Sequence, residues 1–179
     1  ASAADLLQVW DESTKVEAAD FFGVSESKLA IVPHGDYPKL AEDSKPFNRR
    51  EAREKVGIAK YDRVLLYFGM IRPYKQVPTL IEIFSKIAAE STCLVVAGNP
   101  MQGILREQIT QIGDKYPNIL LDLRYIPEDE IPILFAAADF VILPYDRVFN
   151  SGAAILAMSQ STPVVAPREG SLPSVLPPG

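Results

Sequence analysis

From Val64 onward, short apolar runs alternate with longer amphipathic stretches. The runs 64–68, 93–97, 118–123, 140–143 and 163–166 are rich in Val, Ile and Leu and bounded by turn residues, so each predicts a strand. Between them the spacing predicts helices over 78–89, 103–112, 126–138 and 153–159. In the first of these Leu80, Ile83, Phe84 and Ile87 share a face, and Pro78 sits in the first turn, where its missing N–H costs nothing. The helix at 153–159 is mostly apolar and is expected to be buried. The run 163–166 is of the kind that forms an inner parallel strand. Ahead of this pattern, 5–10 and 29–32 predict two more strands. The helix between them is expected to be capped by Ser13 or Thr14, to carry Val16, Ala19 and Phe22 on one face, and to stop at Gly23. A short charged helix over 51–55 ends at Gly57. Strand and helix in alternation, with apolar strands, imply an α/β open parallel sheet with helices on both faces.

Composition narrows the chemistry. The chain has 179 residues, 47% hydrophobic and 23% charged, with a formal net charge of -5, which suits an ordinary globular domain and advertises no basic face for nucleic acid. One cysteine, Cys93, lies inside an apolar run, and one cysteine with one histidine makes neither a disulfide nor a metal site. No run reaches the length of a membrane span and no signal peptide opens the chain, which predicts a cytoplasmic protein. Both ends read as cut, so the chain is expected to be a piece of a longer protein. The extended stretch 36–48 is the best linker candidate.

Ligands of open parallel sheets bind outside the carboxyl ends of the strands. The candidate loops are therefore 69–75, 98–103, 124–127, 144–151 and 167–172. In the first, Gly69 permits close backbone approach, and Arg72 and Lys75 are both suited to phosphate oxygens. In the fourth, Asn150, Ser151 and Gly152 open the apolar helix. Asn150 or Ser151 can cap it, and the amides of its first turn make an anion site. Cations facing a helix N-terminus describe a diphosphate clamp. Gly98 and Asn99 form a second strand-end turn, and Tyr125 with Ile126 could lay a base against apolar surface. His34, the single histidine, sits in a turn with no relay partner and reads as inert. There is no Gly-x-Gly-x-x-Gly, no Walker loop and no nucleophile elbow.

Laid end to end, these residues resemble the nucleotide-sugar half of retaining glycosyltransferases of GT-B architecture, family four or group one. The resemblance rests on Ile31-Val-Pro-His-Gly-Asp-Tyr, Tyr67-Phe-Gly-Met-Ile-Arg-Pro-Tyr-Lys, Leu94-Val-Val-Ala-Gly, Ala137-Ala-Asp-Phe-Val-Ile-Leu-Pro-Tyr, and Ser151-Gly152 through Pro163-Val-Val-Ala. It implies a Rossmann-like fold for 33–179, truncated at its C-terminus, with 1–32 the remnant of a preceding acceptor-binding domain and the crossover from it. It implies that Lys75 contacts the donor diphosphate with Arg72, that Ser151, Gly152 and Ala153 offer amides to the same phosphates, and that Tyr125 and Ile126 hold the base. The donor-binding set is then Gly69, Arg72, Lys75, Gly98, Asn99, Tyr125, Ile126, Asn150, Ser151, Gly152 and Ala153.

The expected activity is transfer of a hexose from a UDP- or GDP-linked sugar to a saccharide or lipid acceptor, without metal or other cofactor. Arg72 and Lys75 would stabilise the leaving group, and the acceptor-side catalytic residues would lie on the missing domain. The chain alone is expected to be inactive, and the full-length protein to be cytoplasmic or peripheral to a membrane. The chain departs from the family pattern at Met70, where Arg is common, at Val148 and Leu156, where many members carry Glu, and at Ser161 and Ser174. Those departures motivate an alternative, a non-catalytic nucleotide- or phosphate-binding or scaffold module with a degenerate donor site. A GT-B-like epimerase is the third option, and no acid/base residues support it.

Overall fold

The computed structural model describes residues 4–37 and 47–176, so most of the linker candidate and the last three residues lie outside the described part. Seven strands and seven helices are found among the described residues. A two-stranded parallel ribbon, β1 (Leu7–Val9) and β2 (Leu29–Ile31), flanks α1 (Glu12–Phe22). Then follow α2 (Arg49–Val56), β3 (Arg63–Phe68), α3 (Val77–Ile87), β4 (Thr92–Ala97), α4 (Gly103–Gly113), β5 (Ile119–Asp122), α5 (Ile131–Ala137), β6 (Phe140–Ile142), α6 (Gly152–Ser159), β7 (Val164–Val165) and α7 (Leu172–Val175).

Strands β3 to β7 form one parallel sheet in the order β5-β4-β3-β6-β7. The chain runs outward from β3 through β4 to β5, then returns to the other side of β3 and runs outward again. The strand order therefore reverses between β3 and β6. In open α/β sheets that reversal opens a crevice at the strands' carboxyl ends, because the two flanking loops leave toward opposite faces. Helices cover both faces, α2 packing on α5 and α3 on α4. The inner strands are buried on both sides, with Val64, Tyr67, Leu94, Val96 and Val141 fully enclosed.

At the opposite, amino end of the sheet a polar clamp joins α2 to the strands. Asp139 accepts from Arg53 Nη2 at 2.6 Å and from the Val64 amide at 2.7 Å, and Arg53 Nε donates to the Ala137 carbonyl at 3.0 Å. Both charged side chains are largely buried and their hydrogen-bonding groups are paired, which is the condition under which a buried ion pair is tolerated.

Three local expectations differ from the structure. Helix α1 is capped by Asp11, ahead of Ser13 and Thr14: its carboxylate accepts from the Thr14 amide at 2.8 Å, while the Thr14 hydroxyl accepts from the Asp11 amide at 3.0 Å. Helix α5 begins at Ile131, because residues from Pro127 to Glu130 form a turn closed by the Glu130 amide on the Pro127 carbonyl. Strand β7 is two residues long and is an edge of the sheet among the described residues, with Val165 53% exposed. The face of α1 that carries Val16 and Phe22 is exposed among the described residues, at 53% and 54%. Phe21 is 83% exposed, and a 970 Å³ apolar groove runs between α1 and the ribbon.

Asp11 also accepts from the Ser174 hydroxyl at 2.7 Å, tying α1 to α7. Burial pushes its carboxyl up, but hydrogen bonds from Ser174, the Thr14 amide and hydroxyl, and Ser13 outweigh that and bring it down to about 2. A depressed folded value means the stabilisation is complete above the unfolded value near 3.8 and is lost as pH falls through 2. Asp11→Ala is expected to cost about 1 kcal/mol at pH 7. By urea unfolding, that difference between variant and parent should shrink as pH falls from 3.8 and disappear only below about 2.

Candidate functional site

The crevice at the reversal point is walled by the loops after β3 and β6. The first carries Gly69, Arg72 and Lys75. Residues Pro73–Lys75 form a single 3-10 turn with Arg72 as its N-cap, and both cations line one cavity. This loop is held from behind by the loop after β4: the Ile71 amide donates to the Asn99 carbonyl at 3.0 Å, and the Met101 amide to the Ile71 carbonyl at 3.1 Å. The support requires close contact. A Cβ on Gly98 would lie 2.0 Å from the Gly69 carbonyl oxygen, and Gly98 has φ +151, so only glycine fits. Gly98 and Asn99 are thus accounted for by holding the cationic loop, and Asn99 Oδ1 accepts from Arg106 at 3.2 Å.

Gly152 begins α6 behind its cap, Ser151. The Ser151 hydroxyl accepts from the Ala154 amide at 3.2 Å and lies 3.3 Å from the Tyr145 hydroxyl. The Ser151 amide donates to Asn150 Oδ1 at 2.7 Å. This amends the expected role of Ser151, whose N–H is already engaged, and it commits the Asn150 side chain. Among the described residues the amides of Gly152 and Ala153 have no hydrogen-bond acceptor. They are the orphan donors of a helix start, at the positive end of its dipole.

The two loops meet. A Cβ on Gly69 would stand 3.7 Å from Lys75 Nζ and 3.9 Å from Ala153 Cβ. A 250 Å³ cavity opens between them, lined by Arg72, Lys75, Tyr145, Asn150, Ser151, Gly152 and Ala153. A neighbouring cavity of 470 Å³ shares Tyr74 and Asn150 with it and reaches Arg147, Val148 and Phe149. Lys75 Nζ lies 5.2 Å from the centroid of the Tyr145 ring. Arg72 rests on sulfur, its Nε 3.1 Å from Met101 Sδ. Among the described residues neither Arg72 nor Lys75 pairs with a carboxylate. Burial, and then the nearby Arg72, lower the Lys75 ammonium to about 8. Burial raises the Tyr145 phenol to about 12, so it stays neutral and can serve as a hydrogen-bond partner. Two unpaired cations and two unpaired amides thus converge on one small space, which is chemically an anion site for two adjacent phosphates.

Not every expected residue is gathered there. Tyr125 is 73% exposed on the loop after β5 and lines neither cavity. The Ile126 side chain is buried in the core, so only its backbone could reach a base. The adjoining Arg124 is held by Asp122 and Glu130. Leu156 is buried within α6, facing the core. Val148 contributes its carbonyl to packing: a Cβ on Gly170 would lie 1.8 Å from that oxygen. Sequence reasoning missed His34 and Tyr37, whose polar atoms stand close to Gly152. A Pro-His-Gly turn gave no local sign of this, because the approach spans more than a hundred residues of chain. Among the described residues no cluster of His, Cys, Asp or Glu could hold a metal ion, and no helix is long and apolar enough to cross a membrane.

The family profile described as Glycosyl transferases group 1 matches residues 62–179. A GDP-mannose:glycolipid 4-beta-D-mannosyltransferase of Xanthomonas campestris pv. campestris is 34% identical over 103 residues, covering 58% of this chain and 30% of that protein. A D-inositol 3-phosphate glycosyltransferase of Mycobacterium tuberculosis (strain F11) is 29% identical over 177 residues, 95% of this chain and 35% of its own length. Among solved structures, Anabaena HepE in complex with UDP and glucose superposes with a TM-score of 0.81 at 21% identity, covering 98% of this chain and 48% of that one. The chain spans less than half the length of each of these relatives. Its parallel sheet with helices on both faces is that of the GT-B structures.

Proposed function

The chain belongs to the group 1 glycosyltransferase family, and from that premise we propose that it is the C-terminal, donor-binding half of a hexosyltransferase using a nucleoside-diphosphate sugar. One observation carries the reading: Lys75, Arg72 and the amides of Gly152 and Ala153, unpaired among the described residues, converge where the strand order reverses. The diphosphate occupies the smaller cavity and the hexose enters the larger one beside Tyr74 and Phe149. As the glycosidic bond breaks, charge grows on the phosphate oxygen that leaves. The fixed cations and the helix dipole stabilise it there without reorganising, which is how such sites lower a barrier. In this reading the cations and dipole meet the diphosphate charge without metal. Residues 1–32 close a preceding acceptor-binding domain, whose body would cover the apolar groove on α1, and the chain alone binds donor without transferring it.

Calorimetric titration with GDP-mannose and UDP-glucose tests this. Saturable binding of one of them, unchanged by a chelator, is the expected result. Absence of binding by both would favour the scaffold alternative raised by Val148 and Leu156.

For stereochemistry the resemblance supports retention, and a specific observation supports a second reading. The Xanthomonas campestris relative is named for a β-mannosyl product from GDP-mannose. GDP-mannose is an α-linked donor, so such a product requires inversion. The Leu156 and Val148 substitutions fit that departure from the retaining pattern. The anomeric proton of the product made by the full-length enzyme, read by NMR, separates the two.

A further inference from the structure

The segment that leaves β2 carries the chain's single histidine. It crosses the N-terminus of α6. Tyr37 anchors it there: its amide donates to Ser159 Oγ at 3.2 Å, at the far end of the helix. Its hydroxyl oxygen lies 3.0 Å from where a Cβ on Gly152 would stand. Tyr37 therefore lies along the whole helix. The His34 ring sits between Trp10, at 5.5 Å between centroids, and Tyr37, at 5.8 Å. Its Nε2 is 3.9 Å from the same Cβ position on Gly152.

The tautomer follows from the other nitrogen. Nδ1 is 2.6 Å from the Gly35 carbonyl oxygen, which can only accept, so Nδ1 carries a hydrogen. In the neutral ring Nε2 then holds a lone pair, and it is the nitrogen beside the α6 anion site. Its neighbours there are Gly152 at the positive end of α6 and the neutral rings of Trp10 and Tyr37, and Gly152 also lines the cavity that holds Lys75 and Arg72. Among the described residues no carboxylate pairs with His34. A diphosphate offers only acceptors, so it repels the lone pair and attracts a protonated Nε2 through a charge-assisted hydrogen bond.

We propose that His34 is a further phosphate contact, reaching the site from outside the five-stranded sheet, and that it takes a proton from solvent onto Nε2 as a nucleoside-diphosphate sugar binds. This rests on the diphosphate reading of the site. It also makes donor binding depend on how the segment from β2 is held, and so couples the ribbon of β1 and β2 to the occupancy of α6.

A single histidine gives a single set of imidazole signals, which allows a direct test on the intact chain. The probes are GDP-mannose and UDP-glucose, whose diphosphates are esterified at both ends and hold no proton titrating near neutrality. At pH 7, saturation is expected to move the His34 imidazole nitrogen signals toward the doubly protonated pattern, together with shifts of the Gly152 and Ala153 amides. His34→Ala is expected to weaken binding about tenfold. His34→Gln, which retains a neutral donor, should recover most of that loss and flatten the dependence of affinity on pH between 5.5 and 7, a range where Lys75 stays charged. Amide shifts at Gly152 and Ala153 with unmoved imidazole signals would overturn the proposal while leaving the diphosphate site standing. No amide shifts with either probe would overturn both.

Discussion

Lys75→Met is expected to give a protein that is more stable than its parent and that holds a diphosphate far more weakly. The two effects have one cause. The ammonium sits in a largely enclosed crevice, against the Tyr145 ring and near Arg72, with no described carboxylate to offset it. Its ordinary value of 10.5 falls to about 8. After allowance for the solvent that still reaches the site, keeping it charged costs the folded state about 2 kcal/mol. The sign is fixed by proton counts. Between pH 8 and 10.5 the unfolded chain binds more protons than the folded one, so stability rises with pH across that window. Below about 8 the penalty is present in full. Denaturant unfolding should therefore show Lys75→Met ahead of the parent by about 2 kcal/mol at pH 7, with the gap closing as pH rises toward 10.5. Calorimetry should show diphosphate-sugar affinity reduced about a hundredfold, as for loss of a charge-assisted contact. In the parent, binding should weaken above pH 8, where the free site loses its proton. A Lys75→Met protein that is less stable and still binds would refute the assignment. Stability given up at one residue in return for an anion contact is the ordinary signature of a functional site.

Gly98→Ala should damage the protein more than any substitution at a cavity-lining residue, although Gly98 touches no ligand in the proposed mode. The new methyl would be driven to 2.0 Å from the Gly69 carbonyl oxygen, a backbone atom that cannot swing aside, at a φ of +151 that only glycine adopts readily. Relief requires the loop after β3 to withdraw, breaking the hydrogen bonds of Ile71 to Asn99 and of Met101 to Ile71. A loss of roughly 4 kcal/mol is expected, read as a lower urea midpoint, with diphosphate affinity lost in whatever remains folded. Gly103→Ala is the control, since nothing lies within 4 Å of its Cβ position. If Gly98→Ala were as mild as Gly103→Ala, the supporting role assigned to the loop after β4 would be wrong.

The elements of the fold were legible because their signals are local. Apolar runs such as Cys93 to Ala97 can be satisfied only between neighbouring strands, and the periodic Leu80, Phe84 face only against a sheet. The donor loop could be read for the same reason: Ser151 and Gly152 before an apolar helix describe a cap and an open N-terminus within a few residues. Ends of elements were less legible. Asp11 outcompeted Ser13 as cap because its carboxylate reaches the amide of Thr14 while also receiving Ser174 from the far end of the chain. Pro127 through Glu130 formed a turn where a helix start was expected.

What the sequence determined by itself was the inventory: parallel strands, covering helices, a cationic loop, a capped helix start whose first amides could meet an anion, and the resemblance that ordered them. What only the tertiary structure decided was which of five strand-end loops face one another. That depends on the strand order β5-β4-β3-β6-β7, which puts the loops after β3 and β6 on either side of one crevice and turns the loop after β4 into their support. It also depends on the path of residues 33–37, which brings His34 to Gly152. Periodicity and capping act over a few residues, and the chain records them wherever they occur. Strand order and loop contact are settled by burial summed over the whole sheet, so no short stretch of sequence carries them.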